Sequence, residues 1–176
     1  MMAIPTLRTE RLVLRGFRLA DLDALAAMYA DPEVARFIGP RRPRDRVETW
    51  RSLETILGQW ALRGYGLFAV ESRRDGAFLG RVGILNPLDW PEPELAYALA
   101  RTAWGKGFAA EAAQAVRAWG FDTFGFPRLA SFILPDNARS RLLAERIGAV
   151  REGMAVLSGH AVEHWVHPAP GHGALA

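Results

Sequence analysis

The chain has 176 residues, half of them hydrophobic and 23% charged, which suits one domain with a sizeable core and excludes disorder or a low-complexity fibre as its main state. Lys+Arg 22 against Asp+Glu 19 leaves a net charge of +3, too small to argue for a nucleic-acid partner. Among the basic residues only Lys106 is lysine, so the pI of 9.9 reflects arginine usage, and the absence of cysteine excludes disulfides, thiolate metal sites and acyl-cysteine intermediates.

Met1-Met2-Ala3-Ile4-Pro5 lacks the basic stretch and apolar run of a secretion signal, and no apolar run of about 18 residues occurs, so a cytoplasmic protein without a membrane partner is expected. Leu12 to Phe17 alternates as a first strand. Asp21 opens a helical pattern through Leu22, Leu25, Ala26 and Tyr29, which Asp31-Pro32 breaks, and a helical turn from Glu33 to Ile38 follows. An arginine-rich loop carries Arg41, Arg42, Arg44 and Arg46. It reads as solvated, although it could meet an acidic substrate group. In the next helix Val47, Trp50, Leu53, Leu57 and Trp60 form one stripe, expected to be core.

After Gly64 the period becomes extended. Leu67 to Glu71, Phe78 to Leu85 and Glu94 to Ala100 read as antiparallel strands, the first two joined by a turn at Arg73 to Gly76. Gly105-Lys106-Gly107 leads into a helix from about Ala109 to Phe124 whose Ala109, Ala112, Ala113, Val116 and Gly120 form a small-residue face suited to close packing on a sheet. Leu129 to Leu134 is a strand and Asn137 to Ile147 a helix. Val150 to Leu157 and Val162 to Val166 close the chain as a hairpin, and residues 168–176 read as a tail. The order is that of an α/β protein with a mixed sheet.

A glycine turn at a helix N-terminus leaves backbone N–H groups aligned with the positive end of the helix dipole, which suits an anion. Gly105 and Gly107 present no side chain against a pyrophosphate. By itself the signal is weak, being neither a Walker loop nor a three-glycine dinucleotide fingerprint. Its surroundings are more specific. Glu94 to Leu99 followed by Trp104-Gly105-Lys106-Gly107-Phe108-Ala109-Ala110-Glu111-Ala112 resembles the acetyl-CoA-binding segment of the GNAT superfamily. Thr9 to Arg15, Asp31-Pro32-Glu33-Val34 and Asn137-Ala138-Arg139-Ser140 extend the resemblance over nearly the whole chain, nearest to the ribosomal-protein N-terminal acetyltransferase branch (RimJ/RimL-type).

That resemblance implies one GNAT domain over residues 1–167, α/β (α+β) in class. Its mixed, mostly antiparallel sheet has six to seven strands, flanked by about four helices. The implied reaction is transfer of acetyl from acetyl-CoA to a primary amine, on a protein N-terminus or a small molecule, by direct attack in a ternary complex. A non-catalytic acyl-CoA sensor on the same fold is the alternative. The amides of Gly105, Lys106, Gly107, Phe108 and Ala109 are implied to wrap the pyrophosphate, with Trp104 beside them. Ala98, Leu99 and Ala100 are implied to pair with the pantetheine arm, and one N–H there to bind the thioester carbonyl. Asn137 is implied to cap its helix and contact pantetheine.

Glu94 matches a general-base position, the alternative being a rim glutamate in the acidic Asp89 to Glu94 segment. Many members place an acidic tyrosine seven residues after the motif asparagine. Here Ala144 occupies that position, and Tyr97 falls on the opposite strand face from Glu94. Ser140 is the remaining acid, unless it only caps the helix. Phe37, Trp50 and Trp90 border the implied acceptor cleft. Glu163 is a rival base. His160, His164 and His167 lack a coordinating pattern, so no metal is expected. The Gly-rich tail leaves a homodimer contact open.

Overall fold

The computed structural model describes residues 4–170. In chain order the elements are β1 (Leu7–Arg8), β2 (Leu12–Arg15), α1 (Leu22–Ala30), α2 (Pro32–Ala35), α3 (Arg46–Arg63), β3 (Leu67–Ser72), β4 (Phe78–Leu85), β5 (Glu94–Leu99), α4 (Phe108–Phe124), β6 (Arg128–Ile133), α5 (Ala138–Arg146), β7 (Val150–Leu157) and β8 (His160–Pro168). They form one α/β fold around a mixed sheet ordered β1-β2-β3-β4-β5-β6-β8-β7, antiparallel everywhere except between β5 and β6. The sheet has one strand more than the seven expected, because the two-residue β1 is too short to show a period. The expected tail begins later than residue 168, which ends β8, and residues 171–176 lie outside the described residues.

Local chemistry sets the helix ends. Asp45 accepts from Glu48 N–H while Glu48 reaches back to Asp45 N–H, a capping box that starts α3, and Gly64 at φ 77° ends it. On α3 the buried stripe is Thr49, Leu53, Ile56 and Trp60. Val47, Trp50 and Leu57, expected on that stripe, are 58%, 41% and 40% exposed. Thr49 takes the inward position because its hydroxyl donates to the Asp45 carbonyl at 2.8 Å and so carries no unmet hydrogen bond into the core. Trp60 anchors the helix: its indole N–H donates to Leu67 O at 2.9 Å, and its ring packs edge-on to Phe68 and against Trp119.

The small-residue face of α4 behaves as expected, with Ala112, Ala113, Val116 and Gly120 buried. Between β3 and β4 the backbones approach closely at Gly83. A Cβ there would stand 2.2 Å from Gly66 O and 2.5 Å from Leu67 Cα, whereas one at Gly120 would meet only the end of Ile84, at 2.6 Å. Backbone cannot yield as a side-chain tip can. Gly83→Ala is therefore expected to cost about 3 kcal/mol of stability, and Gly120→Ala less than about 1 kcal/mol because added helix propensity offsets the crowding. Urea-unfolding midpoints of the two variants check the order.

Candidate active site

One register pair, Glu94 with Ala130, is all that joins β5 to β6. Just beyond it Ser131 Oγ donates to Leu95 O at 2.8 Å, and then the strands part. On its other side β5 pairs with β4, where Gly80 stands opposite Leu99 and Ala100 N–H donates to Leu79 O. Antiparallel alternation therefore turns the backbone groups of Ala98 and Ala100 toward β4, and those of Tyr97 and Leu99 into the gap. Trp104 Nε1–H takes up the Leu99 carbonyl at 2.9 Å. The Leu99 N–H and both backbone groups of Tyr97 remain at the open edge. Of the three residues expected to pair along this edge only Leu99 offers a group, since β4 takes the hydrogen bonds of Ala98 and Ala100.

The gap continues into a cleft of ≈ 1550 Å³, room enough for two substrates. At one end stands the glycine turn. Gly105 and Gly107 have φ of 73° and 80°, a conformation that side chains resist. Gly107 caps α4 without a side-chain acceptor, and the first helical bond runs from Glu111 N–H to Gly107 O, so the N–H groups of Phe108, Ala109 and Ala110 have no partner within the helix. Arg139, whose guanidinium lies 4.2 Å from the Trp104 ring centroid, and Arg146 line the same cleft. These donors suit a phosphate-bearing ligand. The Lys106 side chain lies off the cleft, and its carbonyl accepts from Arg11 at 2.9 Å.

Glu94 stands where β5 and β6 meet. Its two oxygens accept from the Trp90 indole N–H at 2.7 Å and from Phe132 N–H at 3.4 Å. Burial pushes its carboxyl above the ordinary glutamate range, against the pull of both donors. Tyr97 does project from the opposite face, as expected, yet the gap carries its hydroxyl to α5, where it donates to Ser140 O at 3.2 Å and accepts from Ser140 Oγ at 3.1 Å. Burial raises that phenol to about 12, so it holds its proton at neutral pH. Sequence alternation alone set Tyr97 aside, because the parting of the strands is not written in the period. Asn137 caps α5 by accepting from Ser140 N–H at 3.2 Å, which leaves the Ser140 hydroxyl for Tyr97.

Phe37 and Trp90 line the cleft, but Trp50 sits outside it on the exposed face of α3. Glu163 is no rival base. It is buried away from the cleft, accepts from Trp165 Nε1–H at 3.0 Å and faces Arg151 at 3.4 Å. The three histidines stay apart: His160 meets Arg41 at 3.0 Å, His164 meets Glu92 at 2.7 Å, and the buried His167 meets Ser131 at 2.9 Å, its pKa driven down to about 4 by burial. Among the described residues no group of acidic, histidine or cysteine side chains could hold a metal ion. Nor is any described helix long and apolar enough to cross a membrane.

The sequence profile of the acetyltransferase (GNAT) domain matches residues 11–150. The chain belongs to the GNAT acetyltransferase family. It is 32% identical to a Bacillus licheniformis protein called uncharacterized N-acetyltransferase p20, over 85% of this chain and 84% of that one. The crystal structure of an acetyltransferase from Agrobacterium tumefaciens superposes with a TM-score of 0.84 at 35% identity, covering 95% and 96% of the two chains. The fold is also that of RimL, a ribosomal L7/L12 α-N-protein acetyltransferase solved with coenzyme A, at a TM-score of 0.76 and 18% identity over 95% and 98%. By family this GNAT protein is an N-acetyltransferase, and acetyl-CoA is the family's acetyl donor.

The indole N–H of Trp90 favours the charged form of Glu94 and so opposes the effect of burial. Trp90→Phe removes that donor and is expected to raise the Glu94 pKa further. An NMR titration of the glutamate side chain reads the change.

Proposed function

We propose that the chain acetylates a primary amine, on a protein N-terminus or a small molecule, by direct attack of the amine on acetyl-CoA held in the same cleft. The observation that carries this reading is the placement of a desolvated carboxylate, Glu94, at the point where β5 and β6 part, and of a protonated phenol–hydroxyl pair, Tyr97 and Ser140, beside the stretch of β5 edge beyond it that no strand covers. Acetyl-CoA supplies the thioester. The N–H groups at the start of α4, with Arg139 and Arg146, bind its phosphates. The open edge at Tyr97 and Leu99 orients the pantetheine arm, and the Leu99 N–H points to where negative charge develops on the carbonyl oxygen.

Glu94 takes a proton from the amine as the new C–N bond forms, directly or through one water. Its raised pKa makes it a better proton acceptor than an ordinary carboxylate. When the C–S bond breaks, Tyr97 gives its proton to the departing thiolate. Ser140 Oγ donates to the phenol oxygen as it becomes negative, and the proton held by Glu94 returns through water to restore Tyr97. Alignment in one cleft supplies much of the remaining acceleration.

Glu94→Gln keeps the shape but offers one acceptor oxygen to two N–H donors, those of Trp90 and Phe132, and cannot take the proton. It is expected to lower kcat about 100-fold or more while leaving acetyl-CoA affinity unchanged. In the parent protein kcat falls as the pH drops through the raised Glu94 pKa, because only the carboxylate is active, and in the variant that limb is absent. Thiol release from acetyl-CoA over an amine panel, followed against pH, measures both. A parent protein that binds acetyl-CoA yet releases no thiol with any amine would refute the reading.

A further inference from the structure

On the face of β4 and β5 that carries Glu94, the strand register sets Arg81 beside Ala98 and Glu94 beside Leu85, two alternate steps along β5. Arg81 is 8% exposed, lines the cleft, and has a buried Nε with no hydrogen-bond partner among the described residues. Among the described residues no carboxylate lies within ion-pair distance of it, although its charge favours the ionised form of Glu94 on the same face. Its guanidinium lies 5.7 Å from the centroid of the Tyr29 ring, and that of Arg44, from the loop before α3, lies 4.3 Å from the same ring. Arg44 also lines the cleft, and its one hydrogen bond to a described side chain goes to neutral Ser52, at 3.0 Å. Nearby acids are engaged elsewhere: Glu48 with Arg42, and Glu33 with Arg36.

Two guanidiniums crowded on one aromatic ring, partly stripped of water and without a directly paired carboxylate among the described residues, are unfavourable by themselves. Burial pulls the Arg44 pKa down, with the charge of Arg81 adding to it and Tyr29 and Glu48 opposing it. The loop is nonetheless held over the cleft: Arg41, at φ 61°, reaches His160 on the β7–β8 hairpin at 3.0 Å. Gly39 leaves room for Arg44, since a Cβ there would overlap its Nη2. Arg41, Arg42 and Arg46 are exposed, as expected of a solvated loop, whereas Arg44 is half-buried and lines the cleft.

We infer that Arg81 and Arg44 form an anion subsite, and that the acceptor is an amine carrying a carboxylate or phosphate group. The inference rests on the transferase reading for the amine, and on the arginine pair alone for the anion. Planar guanidiniums match carboxylate and phosphate oxygens in pairs, and the bound anion takes the place of the missing paired carboxylate. With its anion at Arg81 and Arg44, such a molecule directs its amine along the small side chains of Ala96 and Ala98 toward Glu94.

The test compares amines that differ only in the anion: β-alanine with β-alaninamide, O-phosphoethanolamine with ethanolamine, and Ala-Glu amide with Ala-Gln amide. Calorimetric binding to the CoA-loaded protein and thiol release from acetyl-CoA are read separately, for the parent, Arg81→Gln and Arg44→Gln. In at least one pair the anionic member is expected to bind about tenfold or more tighter than its neutral twin. Each substitution is expected to shrink that ratio to about threefold or less. Arg44→Gln, at a half-buried loop position rather than in the sheet, keeps the test available should Arg81→Gln not fold. Which pair discriminates most identifies carboxylate or phosphate, small molecule or peptide. Equal binding within all three pairs, or a ratio that survives both substitutions, overturns the subsite. Anion preference in binding without thiol release would keep the subsite and sink the transferase reading, and release from neutral amines without preference would do the reverse.

Discussion

Everything at this site depends on β5 and β6 sharing a single register pair and then separating. Two parallel neighbours would otherwise cover each other's edges, and the backbone groups of Tyr97 and Leu99 would be lost to the ladder. Their separation leaves those groups unmatched in a partly buried place, which is costly unless a ligand supplies partners. The same separation lets a side chain from the far face of β5 reach the cleft. Glu94 and Tyr97 could not serve one reaction in a continuous sheet.

The opening is kept in shape by contacts at its margins. Ser131 holds Leu95 O at the point of divergence, Trp104 closes off Leu99 O, and Asn137 fixes the first turn of α5 so that Ser140 faces Tyr97. Each is a hydrogen bond between a side chain and backbone, which sets position more tightly than apolar packing alone. Across the cleft the charges divide. Arg139 and Arg146 gather near the start of α4, while Arg81 and Arg44 stand on the Glu94 side. In the proposed reaction the two substrates enter one cavity with phosphates at one end and the acceptor at the other, and the thioester lies between Glu94 and Tyr97.

Much of this was legible in the order of residues. The glycine turn is local chemistry, and positive φ at Gly105 and Gly107 is what a glycine pair between strand and helix predicts. The alanine face of α4 is likewise a matter of period. Less legible was whatever depends on how elements meet. On α3 an apolar count cannot see that Thr49 satisfies its own hydroxyl and turns inward, so Trp50 was set in the core and beside the acceptor when it is in neither place. Among Ala98, Leu99 and Ala100 the sequence does not single out Leu99 as the open one, because hydrogen-bond parity follows from the β4 register, not from β5 itself. Arg81 lies mid-strand, where an arginine ordinarily reads as solvent-facing, and only the Tyr29 packing reveals otherwise.

Amide hydrogen exchange, read residue by residue with and without acetyl-CoA, bears most directly on the open edge of β5. Binding there slows exchange at Tyr97 and Leu99 and at the first amides of α4, and leaves Ala98 and Ala100, already bonded to β4, unchanged. Saturating acetyl-CoA that protects the start of α4 and leaves Tyr97 and Leu99 exchanging as before would contradict it.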